Sequence, residues 1–359
     1  MARAHASDPD GHSVIEIHLS SAVVDVVVPV SDNPHVLDMT RESAPLFVVN
    51  RGNPGPPAPL AAVAASRSAP VLDSPAGLAI RSDGTLAEAI THTPNARYHG
   101  RVASLAQNPF SSLEAARQYL SGRLAVHERF VAQIGTDLPS GRTRRALDIG
   151  CGTGLSTVPL HAIAERVIGI DSSTAMLRVA ASGAVYVRGA AEALPFESSV
   201  FGLVTMACTF HWCEPEALLR ETRRVLEPKG VLAVYDHHFA WKAAEAPGLP
   251  EQYEAFMKEF PRVARHSNFD TAIVPGFETV GRTRKEEQIP LNLDSLVGYL
   301  ASQSNVLGAV NAQRMSMAAA HKRIRACLEP VYGGRPTLDC AFGFELDLLR
   351  LHRVPGTAG

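Results

Sequence analysis

The sequence predicts an α/β protein whose centre is a doubly wound, mostly parallel sheet of seven strands with one antiparallel strand, preceded by an N-terminal extension. Three observations carry this expectation. First, short and nearly all-apolar runs (RALDI, RVIGID, VYVRG, FGLVTMA, VLAVYD) recur between residues 145 and 236 and alternate with helical stretches. Runs apolar on both faces belong to strands covered on both sides, and their alternation with helices makes the sheet parallel. Second, residues 276–291 and the run CAFGFELDLL (340–349) read as two late strands that close the sheet, one of them antiparallel. Third, the composition changes near residue 100, where irregular sequence gives way to regular patterning.

In chain order, residues 1–100 form the extension. Within it 12–30 alternates and is rich in Val, which suits one or two strands. The stretch 50–70 is rich in Pro, Ala, Gly and Ser and reads as linker or disorder, because it buries too little apolar surface to offset its chain entropy. The domain proper spans 101–359. Residues 111–134 read as a helix; the core lies at about 140–240; residues 241–359 cover the substrate side and close the sheet. The helix at 214–226 shows the packing logic: Pro215 suits a first turn, and Leu218, Leu219, Thr222, Val225 and Leu226 make one apolar stripe. A further helix is expected at 293–303.

Composition excludes several function classes. A chain of 359 residues with 46% hydrophobic residues can bury a sizeable core, while a net charge of −2 leaves no cationic excess for a nucleic-acid backbone. No apolar run reaches the roughly 18 to 20 residues of a membrane span, and the first residues lack a secretory apolar region. A cytoplasmic location is expected. The five cysteines include no C-x-x-C pair, so neither a disulfide framework nor a structural zinc site is expected, and Cys208 and Cys213 read as buried small hydrophobes. No metal is expected either, since the adjacent His237 and His238 point to opposite sides of an extended segment.

The chemistry starts at ALDIGCGTG (146–154), where a strand runs into Gly150, Gly152 and Gly154 and a helix carrying Leu155, Val158 and Leu160 should follow. Glycines there let a nucleotide-like ligand lie against main-chain N–H groups at the helix start. The dinucleotide fingerprint asks for a third glycine where Leu155 stands, so the spacing is G-x-G-x-G instead. About twenty residues on, VIGID ends in Asp171, an acid at the tip of the second strand able to accept hydrogen bonds from both ribose hydroxyls, or else to cap the next helix.

These residues resemble the first motifs of the class I S-adenosylmethionine-dependent methyltransferases, a Rossmann-like family of the methyltransferase type 11, UbiE-like kind. Asp148 stands two residues before Gly150; IDSSTAMLRVA resembles the second motif, GAAEALPFESSVFGLVT (189–205) the third and fourth, and RRVLEPKGVLAVYD the turn before strand five. Ala190 stands where the family often has an acid facing the adenine amino group, and Gly202 where it has Asp. The His-Trp in ACTFHWCEPE (207–216) resembles the trans-aconitate methyltransferase-like subgroup.

The resemblance implies S-adenosylmethionine as cofactor and, as its contacts, Asp148, Gly150, Cys151, Gly152, Gly154, Asp171, Ser172, Met176, Ala190, Ala191, Glu192 and Ala207. Tyr119 and Arg123, four apart on one helical face, are similar to a Tyr-x-x-x-Arg found ahead of the glycine loop in this subgroup and can reach the methionine carboxylate. His211 stands just past the fourth strand, where doubly wound sheets place their ligands, and can orient or deprotonate an acceptor. Trp212, Asp236 and His237 are the substrate candidates. The implied function is methyl transfer to a small-molecule acceptor, on a carboxylate or hydroxyl oxygen. Two rivals stand beside it: a non-catalytic module holding the cofactor or its product, and an NAD-dependent oxidoreductase, which Leu155 weakens.

Overall fold

The computed structural model describes residues 108–265, 274 and 276–352, and ahead of residue 108 only the backbone of short strands. Seven strands form the main sheet: β1 (Thr143–Ile149), β2 (Ala164–Asp171), β3 (Val185–Arg188), β4 (Phe201–Ala207), β5 (Leu226–Phe239), β6 (Phe277–Leu291) and β7 (Leu338–Leu351). Their order is β6-β7-β5-β4-β1-β2-β3, with a short eighth strand, Val36–Asp38, parallel to the outer side of β3. Only β7 runs against its neighbours, pairing antiparallel with both β5 and β6. The chain therefore starts at the sheet centre and winds outwards in both directions, and the strand order reverses between β1 and β4. At such a reversal the carboxyl ends of the strands leave a crevice for a ligand.

The central strands read as apolar runs because both faces are covered. In β4 every residue but Gly202 is buried, and in β1 the last five are. On one face Leu147, Ile149, Ile170, Val204 and Leu232 pack with Leu218 and Val225 of helix α4 (Pro215–Val225). The expected stripe is buried as predicted, and Glu214 caps this helix by accepting from the Glu216 and Ala217 N–H groups. On the other face lie α1 (Leu113–Gly122), α2 (His127–Asp137), α6 (Leu293–Ala301), α7 (Ser304–Asn311) and α8 (Met317–Tyr332), packed against Ala146, Leu203, Ala233, Phe342 and Phe344. One-turn α3 (Thr174–Leu177) and α5 (Leu249–Glu259) complete the described helices.

Three expectations change. The single helix at 111–134 is two, because Arg123 is extended (ψ 144°) and the chain turns where Gly122 meets the Gly298 backbone of α6. No α-helix follows the glycine loop. Residues Val158–Ala162 form a 3-10 stretch, since Pro159 has no N–H to extend an α ladder. The adenine-side helix is a single turn capped by Ser173, not by Asp171. In the extension, Ser13–Leu19 and Ala22–Val28 form the expected antiparallel strands. Most of the 50–70 stretch lies outside the described residues.

Candidate active site

The glycine loop is held by β1 and β2 together. Gly150, Gly152 and Gly154 have φ of 68°, 54° and 78°, the left-handed region that favours glycine. Gly150 N and Cys151 N donate to Ile170 O (2.8 and 3.1 Å), Gly152 N to Asp171 Oδ2 (2.8 Å), and Gly154 N to Cys151 O (2.9 Å). These four N–H groups are thus engaged within the protein, contrary to the expectation that they face a ligand. The loop presents instead a backbone surface free of side chains.

Asp148 is likewise turned inward. It is fully buried and accepts from Ser156 Oγ (2.6 Å), Thr157 Oγ1 (2.7 Å) and Thr205 Oγ1 (2.8 Å). It has no exposed atom for a cofactor; it ties the loop to β4. The Cys151 side chain, also buried, packs beside Gly169 and Tyr186.

Asp171 remains partly exposed at the tip of β2. Its Oδ2 accepts from Gly152 N and its Oδ1 from Ser173 N (2.7 Å), so both oxygens are oriented. Burial pushes this carboxyl up, and the N–H groups of Ser173, Gly152 and Ser172 oppose that. Ser172 is exposed beside it, and Met176 is buried below, its Cε next to the open side of Gly152. Across the crevice Ala190 is exposed and Ala191 half-buried, while Glu192 Oε1 accepts from Glu214 N (3.0 Å), fastening this stretch to the start of α4.

A cleft of about 230 Å³ opens at the carboxyl ends of β4 and β5, lined among others by Cys208, Thr209, His211, Asp236, Arg265 and Glu345. It adjoins the glycine loop directly, because Thr209 Oγ1 donates to Gly150 O (3.2 Å) and to Ala207 O (2.9 Å). Ala207 itself is buried at the strand end. His211 Nδ1 faces Asp236 Oδ2 at 3.9 Å. Burial, then the Arg265 charge, lowers this imidazole to about 4 against the opposing pull of Asp236, so it is neutral near pH 7. Trp212 sits edge-on to Phe110 (5.6 Å), with the Arg265 guanidinium over its other side (5.7 Å).

Tyr119 and Arg123 come together as expected. The Arg123 guanidinium lies 4.6 Å over the Tyr119 ring and 5.6 Å over Tyr299, and its buried Nε has no partner. His237 departs from expectation. It is 5% exposed and stacked on Phe344, facing the interior rather than the cleft, whereas His238 is exposed. Cys208 departs too: it is half-buried, lines the cleft and lies 3.6 Å from His237 Nδ1, while Cys213 is buried as expected. Phe110, Tyr299, Thr209 and Arg265 are site residues that the sequence reading missed. Only Thr209 stood inside a motif; the others come from segments distant in sequence.

Residues 147–234 match the family model described as a methyltransferase domain. The chain carries a class I S-adenosylmethionine-dependent methyltransferase domain. That family and fold imply S-adenosylmethionine as its cofactor. Similar proteins include the malonyl-[acyl-carrier protein] O-methyltransferase of Dechloromonas aromatica, 32% identical over 34% of this chain and 48% of that relative. The ubiquinone biosynthesis O-methyltransferase of Bartonella tribocorum is 27% identical over 41% of this chain and 64% of its own length. The chain spans about half the length of the first of these curated relatives. A solved structure of a candidate type II methyltransferase from Anaeromyxobacter dehalogenans superposes on 64% of this chain and 97% of its own with a TM-score of 0.50 at 21% identity, a likeness of fold. No described helix is long and apolar enough to cross a membrane.

Proposed function

We propose that the protein transfers a methyl group from S-adenosylmethionine to a small-molecule acceptor, on oxygen. The observation that carries this reading is the Asp171 carboxylate. Fixed by backbone N–H groups at the tip of β2 and beside the glycine loop, it stands partly exposed to the crevice as an oriented acceptor for ribose hydroxyls. The donor set fits the cofactor in its other parts as well. Ala190, Ala191 and Glu192 flank the adenine, Met176 supports it, and the Arg123 guanidinium beside Tyr119, whose buried Nε has no partner, receives the methionine carboxylate.

The cofactor supplies an electrophilic methyl on a sulfonium, and the protein's task is alignment and exclusion of water. Phe110 and Trp212 close the crevice. His211, neutral and weakly basic, orients the acceptor by hydrogen bonding rather than taking a proton from it, because a base near 4 removes a hydroxyl proton poorly at pH 7. This favours an acceptor already ionised, a carboxylate. Two relatives named for O-methylation support oxygen as the acceptor atom. Trp212 and Asp236 contact the acceptor; the His-Trp pair is the basis for the trans-aconitate-like subgroup.

The experiment is calorimetric titration with S-adenosylhomocysteine, with NAD as control and Asp171→Ala alongside. Saturable binding is expected, weakened about tenfold to a hundredfold in the variant, the worth of charge-assisted hydrogen bonds. Absence of binding, or binding of NAD instead, overturns the reading. Binding without methyl transfer to any small acid, phenol or alcohol leaves the module reading in its place.

A further inference from the structure

His237 and His238 diverge along β5, but the fold assembles a different set of metal-binding side chains. Cys208 follows the end of β4 and Asp236 and His237 lie in β5, and one ligand atom from each falls within 4.8 Å of the other two. We propose that Cys208, Asp236 and His237 form a three-ligand site for a divalent metal ion, zinc by its donor set, on the floor of the cleft. The site is independent of the methyl-transfer reading.

The geometry of the pair that is hydrogen-bonded argues for a metal-sized spacing. Cys208 Sγ and His237 Nδ1 are 3.6 Å apart. Zinc bound tetrahedrally, with Zn–S near 2.3 Å and Zn–N near 2.0 to 2.1 Å, places sulfur and nitrogen about 3.6 Å apart. The pair is thus already at the separation that a shared ion imposes. His237 is 5% exposed and cannot swing away, being stacked on Phe344 and met edge-on by the ring of His127, so its Nδ1 is held toward the sulfur. Cys208 is held as firmly, at a φ of 52° that non-glycine residues seldom adopt, with its N–H bonded to Tyr235 O (2.8 Å). Backbone strain of this kind collects at functional sites.

The donor types choose the ion. A thiolate, an imidazole and a carboxylate suit zinc, whereas magnesium and calcium take oxygen donors. Thiolate and carboxylate together bring two negative charges, which balance the dication against the opposing charge of the nearby Arg123 guanidinium. Three protein ligands leave a fourth position, and since Cys208 and Asp236 line the cleft while His237 backs it, that position opens to the cleft. It can take water or an anionic oxygen or sulfur donor. Binding requires the Cys208 thiol to release its proton to solvent as the Zn–S bond forms, so one proton is set free for each zinc bound.

The test uses the full chain stripped with chelator and titrated calorimetrically with zinc chloride alone. One zinc per chain is expected, with affinity lowered at least about tenfold in Cys208→Ser and in Asp236→Asn and unchanged in Cys327→Ser, which removes another half-buried thiol. Cobalt in place of zinc should give a thiolate-to-metal absorption band that Cys208→Ser lacks. His237→Asn should behave like Cys208→Ser; should that buried substitution unfold the chain by circular dichroism, the two cleft-side variants decide. A folded wild type that binds no zinc, or equal affinity in Cys208→Ser, overturns the proposal. None of these readouts depends on methyl transfer.

Discussion

At the scale of single residues, the site is shaped by buried groups that brace the glycine loop from within. Asp148 accepts three hydroxyl hydrogen bonds while wholly buried. Asp148→Asn keeps its size but replaces an acceptor oxygen by a donor, so at least one of the three hydroxyls must give up donating here and the charge-assisted bonds are lost. Urea unfolding should show a loss of about 1–3 kcal/mol together with weaker S-adenosylhomocysteine binding; an unchanged midpoint would refute the locking role. Gly154→Ala should be worse, because φ is 78° and the new methyl runs into the Tyr186 hydroxyl, which is itself bonded to Ala181 O (2.8 Å). The expected result is little soluble protein with native circular dichroism. Motif position made Asp148, Gly150 and Asp171 legible in sequence. It did not separate the acid that braces the loop from the acid that faces the crevice, since that depends on three hydroxyls supplied by β4 and the loop itself.

At the scale of elements, strands were legible and helix ends were not. Runs such as FGLVTMA and VLAVYD announce burial on both faces, and the sheet follows. The break between α1 and α2 has no proline or cap in sequence to mark it; it arises because Gly122 is pressed against the Gly298 backbone, 176 positions away along the chain by their numbering. Gly122→Ala tests this. A methyl there collides with Gly298 O, and the helices must part. A stability loss of about 1–3 kcal/mol is expected, with S-adenosylhomocysteine binding weakened as well, because Tyr119 rides on this helix and Arg123 caps its end. Gly298→Ala, whose Cβ meets Gly122 Cα at an ordinary 3.8 Å, should be milder. Equal effects of the two substitutions would contradict this packing account.

At the scale of the whole molecule, buried neutral histidines make stability depend on pH. Burial, then the Arg123 charge, lowers His127 to about 4, from 6.5 in an unfolded chain. The unfolded state therefore binds more protons between these two values, and stability rises with pH across that window. The contribution is complete above about pH 6.5 and is lost progressively as pH falls towards about 4, for a total near 3 kcal/mol. Denaturant unfolding between pH 7 and pH 4 should show this slope, and His127→Gln should flatten it; an unaltered slope would place the titration elsewhere. His237, also pushed down by burial, adds to the wild-type slope and keeps it from vanishing in the variant.

The grip of α1 on α6 has a meaning for how such a protein changes over time. Helices that precede the glycine loop are clasped by helices that follow β6: Gly122 lies on Gly298, and Ser112 Oγ donates to Asn311 Oδ1 (2.6 Å). Arg123 is roofed by Tyr299 of α6. The segments before the glycine loop and after β5 are therefore not modules that can be traded separately. Exchanging residues 241–352 for those of another protein would also strip α1 and Arg123 of the surfaces they rest on, so the two ends of the domain change more readily by matched point substitutions than by recombination.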